Sequence, residues 1–183
     1  MRPLVLSFWI SLDGYSCNEG TELMQFMQEM DDDEAQDEYG VSRLRQAGTF
    51  IMGRVTYENW AGFWPKSDHP VAEVMNSTPK VVFSKTLRSA DWPVTRIASG
   101  DTAQEIARLK AEPGGEIIAH GGVGFARSLT QLGLVDEYRL LVLPAAVGHG
   151  DRLFTDLGHL LPLRLVASKA FTSGLLELSY APR

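Results

Sequence analysis

The stretch GGEIIAHGGVGFARSLTQLG, residues 114–133, decides the fold class of this chain. Glu116–His120 predicts a short buried strand, and the glycines that follow lead into a helical pattern. The apolar residues on one face of that pattern are Phe125, Ala126, Leu129 and Leu132. A strand that runs through bare glycines to a helix N-terminus is typical of phosphate sites in α/β proteins, because glycine lets the backbone approach and the free N–H groups favour an anion. Such turns also occur for steric reasons alone, so the motif leaves both interpretations open.

Strand-like and helix-like segments alternate along most of the chain. We predict strands at Leu4–Ile10, Thr49–Met52, Lys80–Ser84, Thr95–Ala98, Glu116–His120 and Tyr138–Leu143, and a hairpin of Leu163–Phe171 and Leu175–Tyr180. We predict helices within Thr21–Gln46, with a break around Asp31–Gly40, and at Val55–Trp60, Val71–Asn76 and Thr102–Ala111, the last with a Thr102/Glu105 capping box. The alternation predicts an α/β protein with a mainly parallel sheet, covered by helices on both faces.

Composition narrows the functional classes. The 183 residues predict one domain spanning 1–183, and the net charge of −6 argues against a broad nucleic-acid or anionic-membrane surface. A single cysteine, Cys17, excludes an internal disulfide. No segment approaches the roughly 20 apolar residues of a membrane span, and the N-terminal run lacks a signal-peptide cleavage pattern. We therefore expect a cytoplasmic protein with no membrane partner.

Residues suited to phosphate binding follow three of the predicted strands. They are Gly53-Arg54-Val55-Thr56, Ser84-Lys85-Thr86 and Gly121-Gly122-Val123-Gly124. In α/β sheets ligands gather at the carboxyl ends of strands, and three such ends suit a dinucleotide better than a single phosphate. Arg54 and Lys85 suit the extra phosphate of NADPH. The pattern is not the Rossmann fingerprint, because Ser11-Leu12-Asp13-Gly14 follows the first strand where a G-x-G-x-x-G would stand.

Taken together, the motifs resemble the dihydrofolate reductase-like family, in the branch of the reductase domain at the C-terminus of the bifunctional riboflavin-biosynthesis deaminase–reductase. They are Ser11-Leu12-Asp13-Gly14, Met52-Gly53-Arg54-Val55-Thr56-Tyr57-Glu58, Ser84-Lys85-Thr86-Leu87, His120-Gly121-Gly122, Gly133-Leu134-Val135-Asp136-Glu137-Tyr138, Leu143-Pro144 and Gly148-His149-Gly150-Asp151-Arg152-Leu153-Phe154. Their order and spacing match that family over nearly the whole chain. The H-x-E and C-x-x-C residues of the zinc deaminase domain are absent.

The resemblance implies a three-layer fold with a central sheet of about eight strands, an antiparallel C-terminal hairpin and NADPH as cofactor. It assigns Gly53, Arg54 and Thr56 to the phosphate end of NADPH and Ser84 and Lys85 to the 2′-phosphate. It assigns Gly121, Gly122, Val123 and Gly124 to the pyrophosphate, and Leu12, Asp13 and Gly14 to a mobile loop over the nicotinamide. It also implies a homodimer, for which Tyr138–Leu143 and Leu163–Phe171 offer apolar strands.

These observations predict an NADPH-dependent oxidoreductase that acts on a small heterocyclic or sugar-derived molecule. By resemblance it is most like 5-amino-6-(5-phosphoribosylamino)uracil reductase of riboflavin biosynthesis. Two alternatives stay open: dihydrofolate reductase activity, and a non-catalytic NADPH-binding sensor or assembly protein. The sensor shares every cofactor motif, so only the substrate side can discriminate it from an enzyme.

The substrate side is less well defined by sequence. The carboxylates that could face a substrate are Asp31, Asp32, Asp33, Glu34, Asp37 and Glu38, and the arginines that could bind a ribose phosphate are Arg43, Arg127 and Arg152. No catalytic residue is assigned among them. The four histidines lack metal-ligand spacing, so we expect no metal site, and we expect His120 to be packed and hydrogen-bonded. We expect Trp60, Phe63 and Trp64 to belong to the core rather than to a pocket.

Overall fold

The structure, a computed structural model, describes residues 1–18, 20–30 and 33–183. Its strands are β1 (Leu4–Ser11), β2 (Ala47–Gly53), β3 (Lys80–Phe83), β4 (Thr95–Ala98), β5 (Glu116–His120), β6 (Glu137–Leu143), β7 (Leu163–Ala170) and β8 (Leu176–Pro182). Its helices are α1 (Glu22–Gln28), α2 (Glu34–Leu44), α3 (Arg54–Phe63), α4 (Ala72–Ser77), α5 (Thr102–Ala111) and α6 (Val123–Gln131), with a 3₁₀ turn at Trp64–Lys66. Each predicted strand is present, within a few residues of its predicted bounds.

The eight strands form one sheet in the order β4-β3-β2-β5-β1-β6-β8-β7. The pairs from β4 through to β6 are parallel, and the C-terminal pairs β6–β8 and β8–β7 are antiparallel. This confirms the predicted α/β fold with a mainly parallel sheet of eight strands and an antiparallel C-terminal hairpin. Because β3, β2 and β5 are adjacent and parallel, their carboxyl ends meet at the same edge of the sheet.

Helices cover both faces of the sheet. Ile106 and Leu109 of α5, with Ala126 and Leu129 of α6, pack into the cluster on one face, around Leu6. The opposite face carries a second cluster around Phe50 and Ile118, against which α3, α4 and the end of α2 pack. Successive strand residues alternate between the two faces, so Ile117 and Ala119 belong to the first cluster while Ile118 belongs to the second. The sheet is therefore the middle of three layers.

Two details of the predicted helices were wrong. Thr102 does not cap α5: Asp101 does, since its carboxylate accepts the N–H of Gln104, while Glu105 pairs with Arg96 and Arg108. Aspartate is a strong N-cap, so it takes the position one residue before the predicted one. In α6 the apolar face ends at Leu129, because Leu132 lies beyond the last turn with 51% of its surface exposed.

The segment predicted as a broken helix forms α1 and α2. Gly40 lies inside α2, so the break falls earlier than the far end of its predicted range. Asp33 caps α2, since it accepts the N–H of Gln36. Its other oxygen accepts hydrogen bonds from the hydroxyl and N–H of Thr172 and from the N–H of Ser173. These bonds, the Thr172 hydroxyl first, lower the pKa of Asp33 and fix α2 to the β7–β8 turn.

Within the described ranges, no helix is both long and apolar enough to cross a membrane.

Candidate functional site

Three predicted phosphate-binding segments lie together at one edge of the sheet. Gly53 ends β2 and pairs in register with Phe83, the residue before Ser84 and Lys85. On its other side β2 pairs with β5, which ends at His120 just before Gly121 and Gly122. The fold therefore brings the predicted cofactor segments to adjacent strand ends, as a dinucleotide requires.

Two helix N-termini open at this edge without side-chain caps. Helix α3 begins after Gly53 and α6 begins after Gly122, and neither glycine supplies a capping hydrogen bond. Helices α1, α2 and α5 are capped by the side chains of Thr21, Asp33 and Asp101, whereas α4, which follows Val71, also lacks a side-chain cap. The first N–H groups of α3 and α6 thus remain available to an anion, which the helix dipoles also favour.

The Gly121-Gly122 turn has no room for side chains. Gly121 and Gly122 have φ values of +59° and +53°, a region that L-residues rarely occupy. A Cβ on Gly121 would lie 2.5 Å from Cγ2 and 2.6 Å from Oγ1 of Thr56. Thr56 is buried, so it packs behind the turn and does not project freely from the edge. The glycines are required sterically, and they also leave the outer side of the turn bare for a ligand.

The basic residues at this edge differ in availability. The Arg54 guanidinium is bound to the Glu58 carboxylate one helical turn later, at 2.8 Å. Lys85 is exposed and forms no ion pair with the residues that the structure describes. The Ser84 hydroxyl accepts the N–H groups of Thr86 and Leu87, so it builds the turn that presents Lys85.

The loop after β1 is tied to the loop after β6. Leu12 is 69% exposed, and Gly14 has a positive φ of +86°. The carboxylate of Asp13 accepts the hydroxyl of Ser11 and the N–H groups of Gly148 and Val147. These hydrogen bonds, the Ser11 hydroxyl first, lower the pKa of Asp13 to about 2. At neutral pH the Asp13 carboxylate therefore links the two loops through hydrogen bonds.

The three arginines proposed for a substrate phosphate are all engaged. Arg127 binds Asp151 and the carbonyl of Arg152, and Arg152 lies over the ring of Tyr15 with its centroid 4.2 Å away. Arg43 of α2 faces the carboxylates of Glu137 and Glu177, at 3.7 and 3.9 Å. Arg43 and Arg127 thus have carboxylate partners, whereas Arg152 is exposed and its side chain contacts only Tyr15 among the described residues.

The structure separates the acidic candidates for the substrate side. Asp31 and Asp32 lie outside the described residues. Asp33 is used as a cap and a tether, and Glu34 and Glu38 are exposed. Asp37 is half-buried. It shares a helix face with Val41 and Leu44, which pack against the cluster around Phe50. Asp37 is therefore the described acidic residue of this group that lies on the packed face of α2.

His120 is packed as expected but is not hydrogen-bonded. Its ring lies 4.9 Å from that of Phe50 and 5.3 Å from that of Trp60, and Nε2 is buried with no partner among the described residues. Burial, and secondarily the positive charge of Arg139, lowers the pKa of His120 to about 3. A neutral imidazole with an unused nitrogen thus lies directly before the glycine turn.

The aromatic residues near it are mostly core. Trp60 and Trp64 pack against the cluster around Phe50, in agreement with the prediction, whereas Phe63 is 56% exposed and does not belong to the core. Within the described ranges, His, Cys, Asp and Glu side chains form no group that could hold a metal ion.

His120 should make the protein sensitive to mild acid. The unfolded state binds a proton on this residue below pH 6.5, whereas the folded state does so only near pH 3. The free energy of unfolding should therefore fall as the pH drops through this window, by up to about 1.4 kcal/mol per pH unit from this residue. The free energy of unfolding can be measured in urea at several pH values between about 6.5 and 4.5, above the usual range of carboxyl groups. Its decrease with falling pH should be less steep for His120→Phe than for wild type. Equal slopes would contradict the buried, neutral state of His120.

Known proteins match this chain along its whole length. The model of the RibD C-terminal domain family matches residues 2–176. The uncharacterized protein YyaP of Bacillus subtilis (strain 168) is 30% identical over 98% of this chain and 94% of its own. The solved structures that share the fold include a Shewanella sp. PV-4 protein named for riboflavin biosynthesis and the dihydrofolate reductase of Enterococcus faecalis in complex with NADP(H). The first has a TM-score of 0.81 at 22% identity and covers 100% of this chain and 99% of its own. The second has a TM-score of 0.58 at 14% identity and covers 99% and 96%. With this three-layer architecture and its glycine turn, the chain belongs to the RibD C-terminal domain family and has a dihydrofolate reductase-like fold.

Proposed function

We propose that this protein is an NADPH-dependent reductase of a small heterocyclic substrate, of the type found in riboflavin biosynthesis. The observation that carries the proposal is the pair of uncapped helix N-termini at Gly53 and Gly122, which lie on neighbouring strands beside Lys85. That arrangement supplies backbone donors for a pyrophosphate and a cation for a further phosphate. The family membership supports a reductase rather than another anion-binding protein that uses the same backbone N–H donors.

The residues at the sheet edge fit NADPH. The bare turn at Gly121 and Gly122 would hold the pyrophosphate through the N–H groups at the start of α6, and those at the start of α3 would complete the anion site. Lys85 would bind the 2′-phosphate, and Arg54 would join it by exchanging its ion pair with Glu58 for the ligand. When bound, the reduced nicotinamide supplies a hydride. The loop of Leu12 and Asp13, which is hydrogen-bonded to the loop after β6, would cover the nicotinamide and exclude water.

Dihydrofolate reduction is the second candidate, and Asp37 favours it. A pterin needs a carboxylate that holds the ring and supports its protonation, and Asp37 is half-buried on the inner side of α2. The non-catalytic NADPH sensor is the outcome in which cofactor binds and no substrate is reduced.

The proposal is tested by following NADPH oxidation with 5-amino-6-(5-phosphoribosylamino)uracil, its dephosphorylated form and dihydrofolate. Turnover of at least one of these compounds, at a rate lost in heat-unfolded protein, is expected. NADPH binding with no oxidation in the presence of any of them would favour the sensor and contradict the reductase.

Lys85 should set the preference for NADPH over NADH. Replacing it with alanine removes a charge-assisted contact that only the 2′-phosphate can make, so the Kd for NADPH should rise about tenfold and the Kd for NADH should not change. Arg88→Ala, a nearby exposed cation, is the matched control for non-specific charge effects. Equal losses for both cofactors would show that Lys85 does not bind the 2′-phosphate.

We also propose a homodimer in the cytoplasm. The predicted contribution of Tyr138–Leu143 does not fit, because β6 lies inside the sheet between β1 and β8. Strand β7 is one edge of the sheet, with β4 at the other, and Leu165 and Val166 of β7 are each about half exposed, at 51% and 50%. Its unpaired backbone groups can bond to the same strand of a second copy across a two-fold axis. Light scattering of the wild type should give about twice the chain mass of 20.2 kDa. Leu165→Lys should disrupt the interface and lower the measured mass to that of one chain. A single-chain mass for wild type at micromolar concentration would reject the dimer.

A further inference from the structure

The loops after β1 and β6 lie side by side at the carboxyl edge of the sheet. Strands β1 and β6 are parallel neighbours and end together, because the register of the pair runs to the last residue of each strand. The segments that follow, residues 11–17 and 144–152, are here named the double loop. Tyr15 of the first segment forms an antiparallel bridge with Arg152 of the second, so their pairing continues beyond the sheet.

The first segment of the double loop is hydrogen-bonded along its length. Six of its backbone N–H groups donate to acceptors within the protein, those of Ser11, Leu12, Gly14, Tyr15, Ser16 and Cys17. Two of these bonds cross to the second segment, where the carbonyl oxygens of Ala145 and Asp151 each accept at 2.7 Å. A loop that opens easily leaves most of its backbone N–H groups to water, so this segment has the bonding of a stable element.

Asp13 supplies hydrogen bonds in the opposite direction. Its carboxylate accepts the N–H groups of Val147 at 3.2 Å and Gly148 at 2.7 Å, both in the second segment. The hydroxyl of Ser11 donates to the same carboxylate at 2.6 Å and holds it in place. Each segment of the double loop therefore donates to the other, and neither can move away without losing bonds on both sides.

The outer end of the double loop is closed by Tyr15 and Arg152. The Arg152 guanidinium lies over the Tyr15 ring, 4.2 Å from its centroid, and donates to the Tyr15 hydroxyl at 2.8 Å. The carbonyl of Arg152 accepts a hydrogen bond from Arg127 of α6 at 2.8 Å, and Asp151 pairs with the same guanidinium at 3.1 Å. The double loop is thus fastened to itself and to the helix that follows the Gly121-Gly122 turn.

We propose that the double loop is a preformed wall of the cofactor site, which keeps one conformation while the cofactor enters and leaves, and that Asp13, Tyr15 and Arg152 are its positioning residues. The family resemblance implies the opposite, a loop that moves over the nicotinamide. The inference rests on the proposed function, because it concerns the loop beside that cofactor. A preformed wall carries no ordering cost on binding, so the cofactor binds in one step and loop opening does not limit its release.

Hydrogen exchange followed by mass spectrometry tests the preformed wall in the free protein. The N–H groups of residues 11–17 should exchange at least about 100-fold more slowly than in an unfolded peptide. Saturating NADPH should change these rates by less than about threefold, because the hydrogen bonds are already present. Rapid exchange in the free protein that becomes slow with NADPH would identify a loop that orders on binding, and it would overturn the inference.

Two substitutions test the positioning residues. Asp13→Ala removes the acceptor of two backbone N–H groups, and Arg152→Ala removes the contact with Tyr15. Each should raise the exchange rates of residues 11–17 by about tenfold or more. Rates in β5 should stay the same, because only a general loss of fold stability would raise them. Unchanged rates in residues 11–17 of both variants, or an equal rise in β5, would overturn the positioning role.

Lys169→Ala is the matched control. Lys169 also lies over an aromatic ring, with Nζ 4.2 Å from the centroid of Tyr39, but outside the double loop. Its removal should leave the exchange rates of residues 11–17 unchanged. A rise equal to that in Arg152→Ala would show that the loss of any such contact loosens the loop, and it would overturn the specific role of Arg152.

Stopped-flow binding of NADPH gives a kinetic readout. In wild type the observed rate should rise linearly with NADPH concentration, as in one-step binding. In Asp13→Ala it should level off, because the loop then has to order after the cofactor has arrived. A plateau in wild type would overturn the preformed wall.

The outcomes separate this inference from the proposed function. Rapid exchange of residues 11–17 in the free protein overturns the preformed wall even where NADPH binds and is oxidised, and the reductase then stands. Failure of wild type to bind NADPH overturns the proposed function. Slow exchange in that case rejects the double loop as a cofactor wall, since its rigidity would then serve the fold alone.

Discussion

Gly121→Ala should lower the affinity for NADPH about 100-fold and destabilise the fold by about 3 kcal/mol. The new methyl would lie 2.5 Å from Cγ2 of Thr56, and the backbone there has a φ of +59°. Either the turn moves outward into the space of the pyrophosphate or Thr56 is displaced within α3. Both responses disturb the two helix N-termini that we propose bind the cofactor. Fluorescence titration with NADPH and urea unfolding measure the two effects.

A second substitution tests whether Thr56 causes the effect. Thr56→Ala removes the two atoms closest to the new methyl and leaves only a Cβ, at 3.1 Å. The double variant should therefore recover about 1–2 kcal/mol of the stability lost in Gly121→Ala. Gly62→Ala, at an exposed position in α3 with nothing within 4 Å, is the control and should stabilise by about 0.5–1 kcal/mol. Strict additivity of the two substitutions would contradict the packing of Thr56 behind the turn.

Gly115→Ala should destabilise the protein by about 3 kcal/mol or more and leave NADPH affinity intact in the folded fraction. Gly115 precedes β5 at the opposite end from Gly121. A Cβ there would lie 2.1 Å from the carbonyl oxygen of Gln46 and 3.0 Å from the backbone nitrogen of Gly48. Both contacts are with backbone, which cannot move aside as a side chain does. Glu116 also donates its N–H to Gln46, so the pairing of β2 with β5 is strained directly.

The two variants distinguish a loss of fold stability from a loss of cofactor affinity. Urea unfolding should show a loss in both, whereas the Kd measured under folding conditions should change only in Gly121→Ala. Gly100→Ala, which meets nothing within 4 Å, is a control for a loop glycine and should change neither quantity appreciably. Wild-type stability in Gly115→Ala would show that β2 and β5 do not approach as closely as the structure indicates.

The meeting of the glycine- and cation-bearing segments at one edge of the sheet was predictable, because their sequence signals are local. Glycines and cations directly follow strands at Gly53, Lys85 and Gly121, and parallel pairing then brings them together. The ion pair between Arg54 and Glu58 corresponds to an i,i+4 spacing that is also visible in the sequence.

The contacts across the centre of the sheet were not predictable, because the residues involved meet only through sheet register. Ser7 and Arg139 are far apart in sequence, and a one-residue shift in pairing would move either side chain to the other face. The close approach at Gly115 is non-local in the same way, because Gln46 and Gly48 meet it only through the pairing of β2 with β5. The burial of Asp37 relative to Glu34 and Glu38 likewise depends on which side of α2 packs inward.

The proposed cofactor site is tested most directly by a titration of the purified protein with NADPH and with NADH, followed by nicotinamide fluorescence. We expect saturable binding of NADPH at micromolar or lower concentration and at least tenfold weaker binding of NADH. The absence of binding for both would contradict the proposed site, since the uncapped N-termini of α3 and α6 would then be features of the fold with no cofactor to hold.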